Sequence, residues 1–351
     1  MQTNAELHKL LLQERPDADG IEMAAWINVL SQLKGCHVHS FAAQGIDDEG
    51  WHAARAKGIG GSEIAAILGK SSWSSPTDIY LKKIPQFEQP AQEPQSEAAR
   101  WGNVLEDTII REWSTRTGRK YIHLPVSLQS DDNPIFIANV DGFELDENDM
   151  VVGILECKTT SLYNENCWRE GEIPIYYVYQ IQWYMMITGL KTACIMCLVG
   201  GQHLYYYDLP AVEAIAEEEK AGAIDFWENH VIPCVAPALT DVDADRLQKA
   251  KAEEVEHEEP IVTDDEETIQ ILENYVAIRE KISALEKLKK VTYAQMLEKL
   301  GTANEMIAGD RQVKCSTSSR RTCDFELLQN KYPMIYEEVV SMASSVRITV
   351  K

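Results

Sequence analysis

The segment IANVDGFELDENDMVVGILECKTT, residues 137–160, constrains the fold more than any other part of the chain. Two strand-like runs flank the acidic, turn-prone DEND, which is the pattern of a β-hairpin. A turn at Asn148-Asp149 places Asp141 directly across from Glu156. Side chains alternate faces along a strand, so Glu156 and Lys158 share one face and Cys157 points into the other. Asp141, Glu156 and Lys158 therefore converge on one spot. Two adjacent carboxylates repel unless something offsets their charge. A hard divalent cation held by oxygens does so and leaves positions open for water and phosphate. The lysine can orient or deprotonate an attacking water, or stabilise charge that develops in the transition state. Taken by residue type alone, the same three residues also fit a cross-strand ion pair at a sheet edge.

The surrounding sequence builds an α/β unit around this hairpin. Residues 5–35 read as two helices broken at Pro16-Asp17, a packing or oligomer helix pair. The loop GIGGS follows, with Ser62 as the cap of the helix SEIAAILG. A polar, proline-containing loop at residues 85–97 leads into a helix over 98–117, ended by Gly118. Strands follow over 122–128, 134–140 and 151–158, then a helix over 175–188, and strands over 193–199 and 203–207. Helix, three strands, helix, strand predicts a central mixed sheet flanked by helices. A further helix spans 211–233.

Charge marks the end of this unit. The chain has 351 residues and a net charge of −23, which argues against indiscriminate binding to nucleic acid or anionic lipid. From Asp241 to Glu273 there are thirteen acidic and three basic residues, ten of the 23 net negative charges, so the rest of the chain can still hold a local basic groove. The expected division is a helical segment at 1–45, the α/β core at 46–238, an acidic linker at 239–268, and a coiled-coil helix with a small α+β tail at 269–351. Ile271, Tyr275, Ile278, Ile282 and Leu285 carry the seam, Gly309-Asp310 a hairpin, and Val346 to Val350 a terminal strand. No signal-peptide pattern or membrane span is read, which predicts a cytoplasmic protein with no membrane partner. The eight cysteines read as free thiols.

Four segments, the hairpin counting for two motifs, together resemble one family. The D…ExK hairpin resembles the PD-(D/E)xK nuclease superfamily. WHAARAKGIGGSEIAAILG (residues 51–69), RWGNVLED and YYVYQIQWYMMITG narrow the resemblance to the YqaJ-like viral recombinases, relatives of the lambda-type phage exonuclease. The resemblance covers roughly residues 51–210. It implies a PD-(D/E)xK (restriction-endonuclease-like) core, with the C-terminal part as a helical and α+β extension.

The resemblance also implies a Mg²⁺-dependent DNA exonuclease, with Mn²⁺ as a substitute. Such an enzyme digests one strand of duplex DNA from the 5′ end and leaves a 3′ single strand for a RecT-like annealing partner. Asp141, Glu156 and the Cys157 carbonyl would hold the metal, with Glu106 as support. Lys158 would position water and Gln180 would orient the site, while Arg55, Ser62 and Tyr184 would bind substrate. By family analogy the chain is a homo-oligomer, a ring trimer. Cys157 stands where an aliphatic residue is commoner, which matters little if only its carbonyl is used. Some relatives in the superfamily hold an iron–sulfur cluster, but Cys194 and Cys197 lie in a strand-like run that sends them to opposite faces, so they read as core thiols. The alternatives are a structure- or site-specific endonuclease on the same fold, or a catalytically idle DNA- or partner-binding module.

Overall fold

The computed structural model describes residues 2–15, 17–41, 57–84, 96–253, 261–316, 319 and 323–340. The chain forms two compact units, Met1–Asp245 and Arg246–Lys351. No helix among the described residues is long and apolar enough to cross a membrane.

The first unit opens with α1 (Asn4–Glu14) and α2 (Gly20–Leu30). Each starts in a capping box, Thr3 with Glu6 and Asp19 with Glu22, so side chains take up free N–H groups at both N-termini. The sequence reading carried the second helix to residue 35 and placed no strand after it. The chain instead turns at Gly35, whose φ is 86°, and enters β1 (Cys36–Phe41). Cys36 and Val38 are buried while His37 between them is not, an alternation too short to stand out in the sequence.

β1 lies at the edge of a seven-stranded sheet. Its other strands are β2 (Ile59–Gly60), β3 (Lys120–Ser130), β4 (Phe136–Leu145), β5 (Val151–Thr160), β6 (Thr192–Val199) and β7 (His203–Pro210). The order is β1-β3-β4-β5-β6-β7, with the short β2 alongside β4. β5–β6 and β2–β4 are parallel and the other neighbours antiparallel, so the sheet is mixed as predicted. The parallel step from β5 to β6 needs a crossover, supplied by α6 (Glu165–Arg169) and α7 (Ile175–Thr188).

The β4–β5 hairpin has the expected register: Gly142 faces Leu155 and Phe143 faces Ile154, which continues to Asp141 opposite Glu156. Asp146 holds the turn, its Oδ1 accepting from the N–H groups of Asn148 and Met150, and Asp149 takes the left-handed conformation at φ 59°. The two sheet faces then separate cleanly. Leu155, Cys194 and Met196 pack on Ile109, Ile110 and Trp113 of α5 (Glu97–Thr117). Phe143, Ile154, Ile195 and Cys197 belong to the larger core, which includes Ile181, Trp183 and Ile187 of α7. Cys194 and Cys197 are thus free thiols on opposite faces of one strand. Trp183 also donates from Nε1 to the Ile137 carbonyl at 2.9 Å, which pins α7 across β4.

α3 (Gly61–Ile67) packs on α7, and α4 (Pro76–Lys83) packs on α3. Here the structure corrects one expectation: Ser62 does not cap α3. The cap position is Gly60, and its N–H donates to Glu63 Oε2 at 2.9 Å. Glu63 can be buried in that role because Lys83 Nζ stands 2.9 Å from the same oxygen. Ser62, one residue into the helix, is exposed. After β7 the unit continues with α8 (Glu213–Phe226), a π-helical turn (Trp227–Val231) and the start of α9 (Asp241–Glu253), which occupies the first part of the stretch read as a linker.

In the second unit, α10 (Glu266–Leu300) runs for 35 residues, and Ile271, Tyr275, Ile278, Ile282 and Leu285 are all exposed on it. A hairpin of β8 (Glu305–Ala308) and β9 (Arg311–Lys314) turns at Gly309-Asp310, followed by α11 (Phe325–Lys331) and α12 (Pro333–Val339). The strand expected over Val346–Val350 lies outside the described residues.

Candidate active site

Asp141 and Glu156 meet at the point where the β4–β5 ladder opens. Asp141 Oδ2 accepts from the Cys157 N–H at 2.7 Å, replacing the strand-to-strand bond with a side-chain one. Glu156 is 1% exposed. Its Oε1 accepts from Lys158 Nζ and from Gln180 Nε2, the latter at 2.6 Å. Its Oε2 is buried with no hydrogen-bond partner. Gln180 Nε2 also donates to the Tyr184 hydroxyl at 3.0 Å, one helical turn further along α7. The Lys158 ammonium lies 4.9 Å from the centre of the Tyr177 ring, on the same helix. One helix thus covers the carboxylate and the lysine together.

Glu106 reaches this cluster from α5 on the other side of the sheet, half-buried and within the field of Asp141 and Glu156. Cys157 points the same way, its thiol 3.9 Å from the Glu106 carbonyl. Sequence reasoning missed His123. It stands on β3 opposite Gly142, with Nδ1 3.6 Å from Glu106 Oε1. Nothing in its local sequence marks it, because the approach depends on how α5 lies on the sheet. Tyr184 is buried behind Gln180, with its ring against Gly61, where an added Cβ would fall 2.4 Å from Cε1. Ser62 projects from the first turn of the neighbouring α3. Arg55 lies outside the described residues.

Concentrated acid in a buried place has a large electrostatic consequence. Burial, then repulsion from Asp141, pushes the Glu156 carboxyl up to about 8. Burial, then Asp141 and Glu156, pushes Glu106 up to about 9. Burial raises Asp141 as well, against the pull of Lys158 and the Cys157 N–H. Lys158 moves the opposite way from an ordinary buried lysine: burial lowers it, but Glu156 and Asp141 together hold it above its usual value. Among the described residues, no three His, Cys, Asp or Glu side chains stand at ligating distance of one point. A divalent cation nevertheless suits the chemistry of the donors. Asp141 and Glu106 are hard oxygen donors whose charges act on or are acted on by Glu156, and Glu156 Oε2 is a buried oxygen that lacks a partner.

A family model described as the YqaJ-like viral recombinase domain matches residues 50–191. The chain is 32% identical to the uncharacterized protein YqaJ of Bacillus subtilis (strain 168) over 297 residues, 82% of this chain and 89% of that protein. Among solved structures it is similar to an alkaline exonuclease (LHK-Exo) from Laribacter hongkongensis, at 17% identity and a TM-score of 0.44, covering 58% of this chain and 98% of that one. It is also similar to a phage related exonuclease from Haemophilus somnus 129PT, at 14% identity and a TM-score of 0.36, covering 50% and 96% respectively.

Proposed function

This chain belongs to the YqaJ-like viral recombinase family, and from that premise we propose that it is a metal-dependent deoxyribonuclease that trims duplex DNA during recombination. The observation that carries the reading is the buried cluster of Asp141, Glu156 and Lys158, in which Lys158 bonds Glu156 Oε1, Asp141 repels the same carboxyl, and Glu156 Oε2 has no partner. Asp141, Glu156 and the Cys157 carbonyl would hold Mg²⁺ or Mn²⁺, with Glu106 in support. Once bound, the ion would draw charge from the scissile phosphate and ease deprotonation of the attacking water.

The protein groups have separable tasks. Lys158, held above its ordinary value by Glu156 and Asp141, serves in this reading as a positive charge that orients water and answers the negative charge growing on phosphorus. Gln180 holds Glu156 Oε1 in place and Tyr184 holds Gln180 from behind. In this reading Ser62, exposed on the neighbouring helix, is a phosphate contact, and Arg55 is the clamp for a terminal phosphate. The direction is 5′→3′, leaving a 3′ single strand for a single-strand annealing partner of the RecT kind, and the working form is a homo-oligomer.

The deciding experiment digests a duplex labelled at either its 5′ or its 3′ end, in Mg²⁺ and in EDTA. We expect release of the 5′ label as mononucleotide from the first moments in Mg²⁺ only. Internal fragments at early times would make the enzyme an endonuclease, and no cleavage in any divalent ion would leave a binding module.

A further inference from the structure

We propose that Trp73 is a stacking platform for a nucleobase of single-stranded DNA leaving or entering the site. This rests on the nuclease reading and adds a substrate contact to it. Rings connect Trp73 to the reactive lysine. Lys158 Nζ faces the Tyr177 ring, Tyr177 lies 4.4 Å from Tyr176 between ring centres, and Tyr176 meets Trp73 edge to face at 6.1 Å and 89°. The buried end of this series is the candidate active site. The outer end is an indole that is 61% exposed.

The exposure is built, not incidental. Trp73 stands in a turn where Ser71, Ser74 and Ser75 are buried and tied down, with Ser72 exposed beside it. Ser71 Oγ accepts from the N–H groups of Trp73 and Ser74, at 3.4 and 3.2 Å. Ser75 caps α4, its N–H donating to Asp78 Oδ2 at 2.9 Å, and its hydroxyl donates to the buried Asp243 at 2.7 Å. Ser71, Ser74 and Ser75 are all buried. A backbone held this firmly presents one large apolar ring to water, which is unfavourable unless something covers it. Tyr176 contacts the indole edge to face and so leaves a large part of the ring open.

A nucleobase is the occupant that fits. The platform is continuous with the site proposed to bind the DNA backbone, and every base offers a π-face to an aromatic ring whatever its sequence. A flat stack would also hold a strand end that has left its duplex, favouring single-stranded over paired nucleotides at that point.

The test is binding in EDTA, where no cleavage occurs, read by fluorescence anisotropy. The probes are labelled oligothymidylate and a labelled abasic chain of the same length, with W73A and W73F beside the wild type and solution mass measured for each. We expect the wild type to prefer oligothymidylate by about tenfold, the size of one base–aromatic stack. W73A should bind both chains alike at the abasic level, and W73F should keep most of the preference. A W73A protein that retains the preference overturns the proposal. So does one whose mass in solution falls, since the indole would then belong to a contact between copies. A wild type that binds both chains equally overturns stacking alone, and one that binds neither overturns the DNA reading with it.

Discussion

Burial alone would drive the proton from Lys158, yet the amine stays charged because Glu156 and Asp141 face it. The same contact works in reverse on Glu156, whose Oε1 is shared between Lys158 and Gln180 while Oε2 has no partner. The two residues are interlocked but their losses should look different. Both Lys158→Ala and Glu156→Ala should lower kcat at least ~100-fold, the usual cost of removing one group that stabilises developing charge. Glu156→Ala should also weaken Mg²⁺ binding in calorimetry, whereas Lys158→Ala should leave it intact, since the lysine contributes charge and no ligand atom. Calcium should compete for the site and support little cleavage, because its larger radius tolerates irregular coordination that does not orient a water for attack.

At the scale of elements, the site is a contact between one hairpin and three helices, and the tightest of these contacts is α3 on α7. Gly61 has no Cβ because the Tyr184 ring occupies that place, and Tyr184 in turn supports Gln180. Gly61→Ala should therefore push on a buried ring, costing about 1–3 kcal/mol of stability and lowering the melting temperature by several degrees. Activity should fall further than a mere loss of folded protein explains, and kcat measured well below the melting temperature separates the two effects. The hairpin itself was legible in the sequence, including the Asp141–Glu156 register, because alternation and turn chemistry act over a few residues. The helix that brings Gln180 was equally plain. What stayed hidden depends on packing between distant segments. His123 matters only once α5 places Glu106 beside it, the helix expected after GIGGS starts at the Gly60 cap with a buried Glu63 that Lys83 pairs, and β1 finds its partner in the edge of β3.

For the folded molecule as a whole, carboxyl groups kept from water make stability depend on pH. Glu219 on α8 lies away from the candidate site, fully buried, with neither carboxyl oxygen hydrogen-bonded. Burial, then the nearby Glu218, pushes it up to about 9 from an ordinary 4.5. The folded chain thus keeps a proton that the unfolded chain gives up above roughly pH 4.5. Stability supplied by the neutral form is complete below that pH and drains away as pH rises toward 9. Glu219→Gln, which cannot ionise, should lose less melting temperature between pH 6 and pH 9 than the wild type does, by several degrees in scanning calorimetry. The N-terminal segment matters at this scale too. β1 comes from the start of the chain to lie along β3, pairing Cys36 with Ser130 and Val38 with Leu128. It takes up the main-chain groups that β3 would otherwise turn outward, and an open row of such groups invites a second molecule to add its own strand. β1 is itself an edge, but it is 6 residues long against the 11 of β3, so the opening residues leave a shorter row for another molecule to find, and a form of the domain without them would bare the longer one.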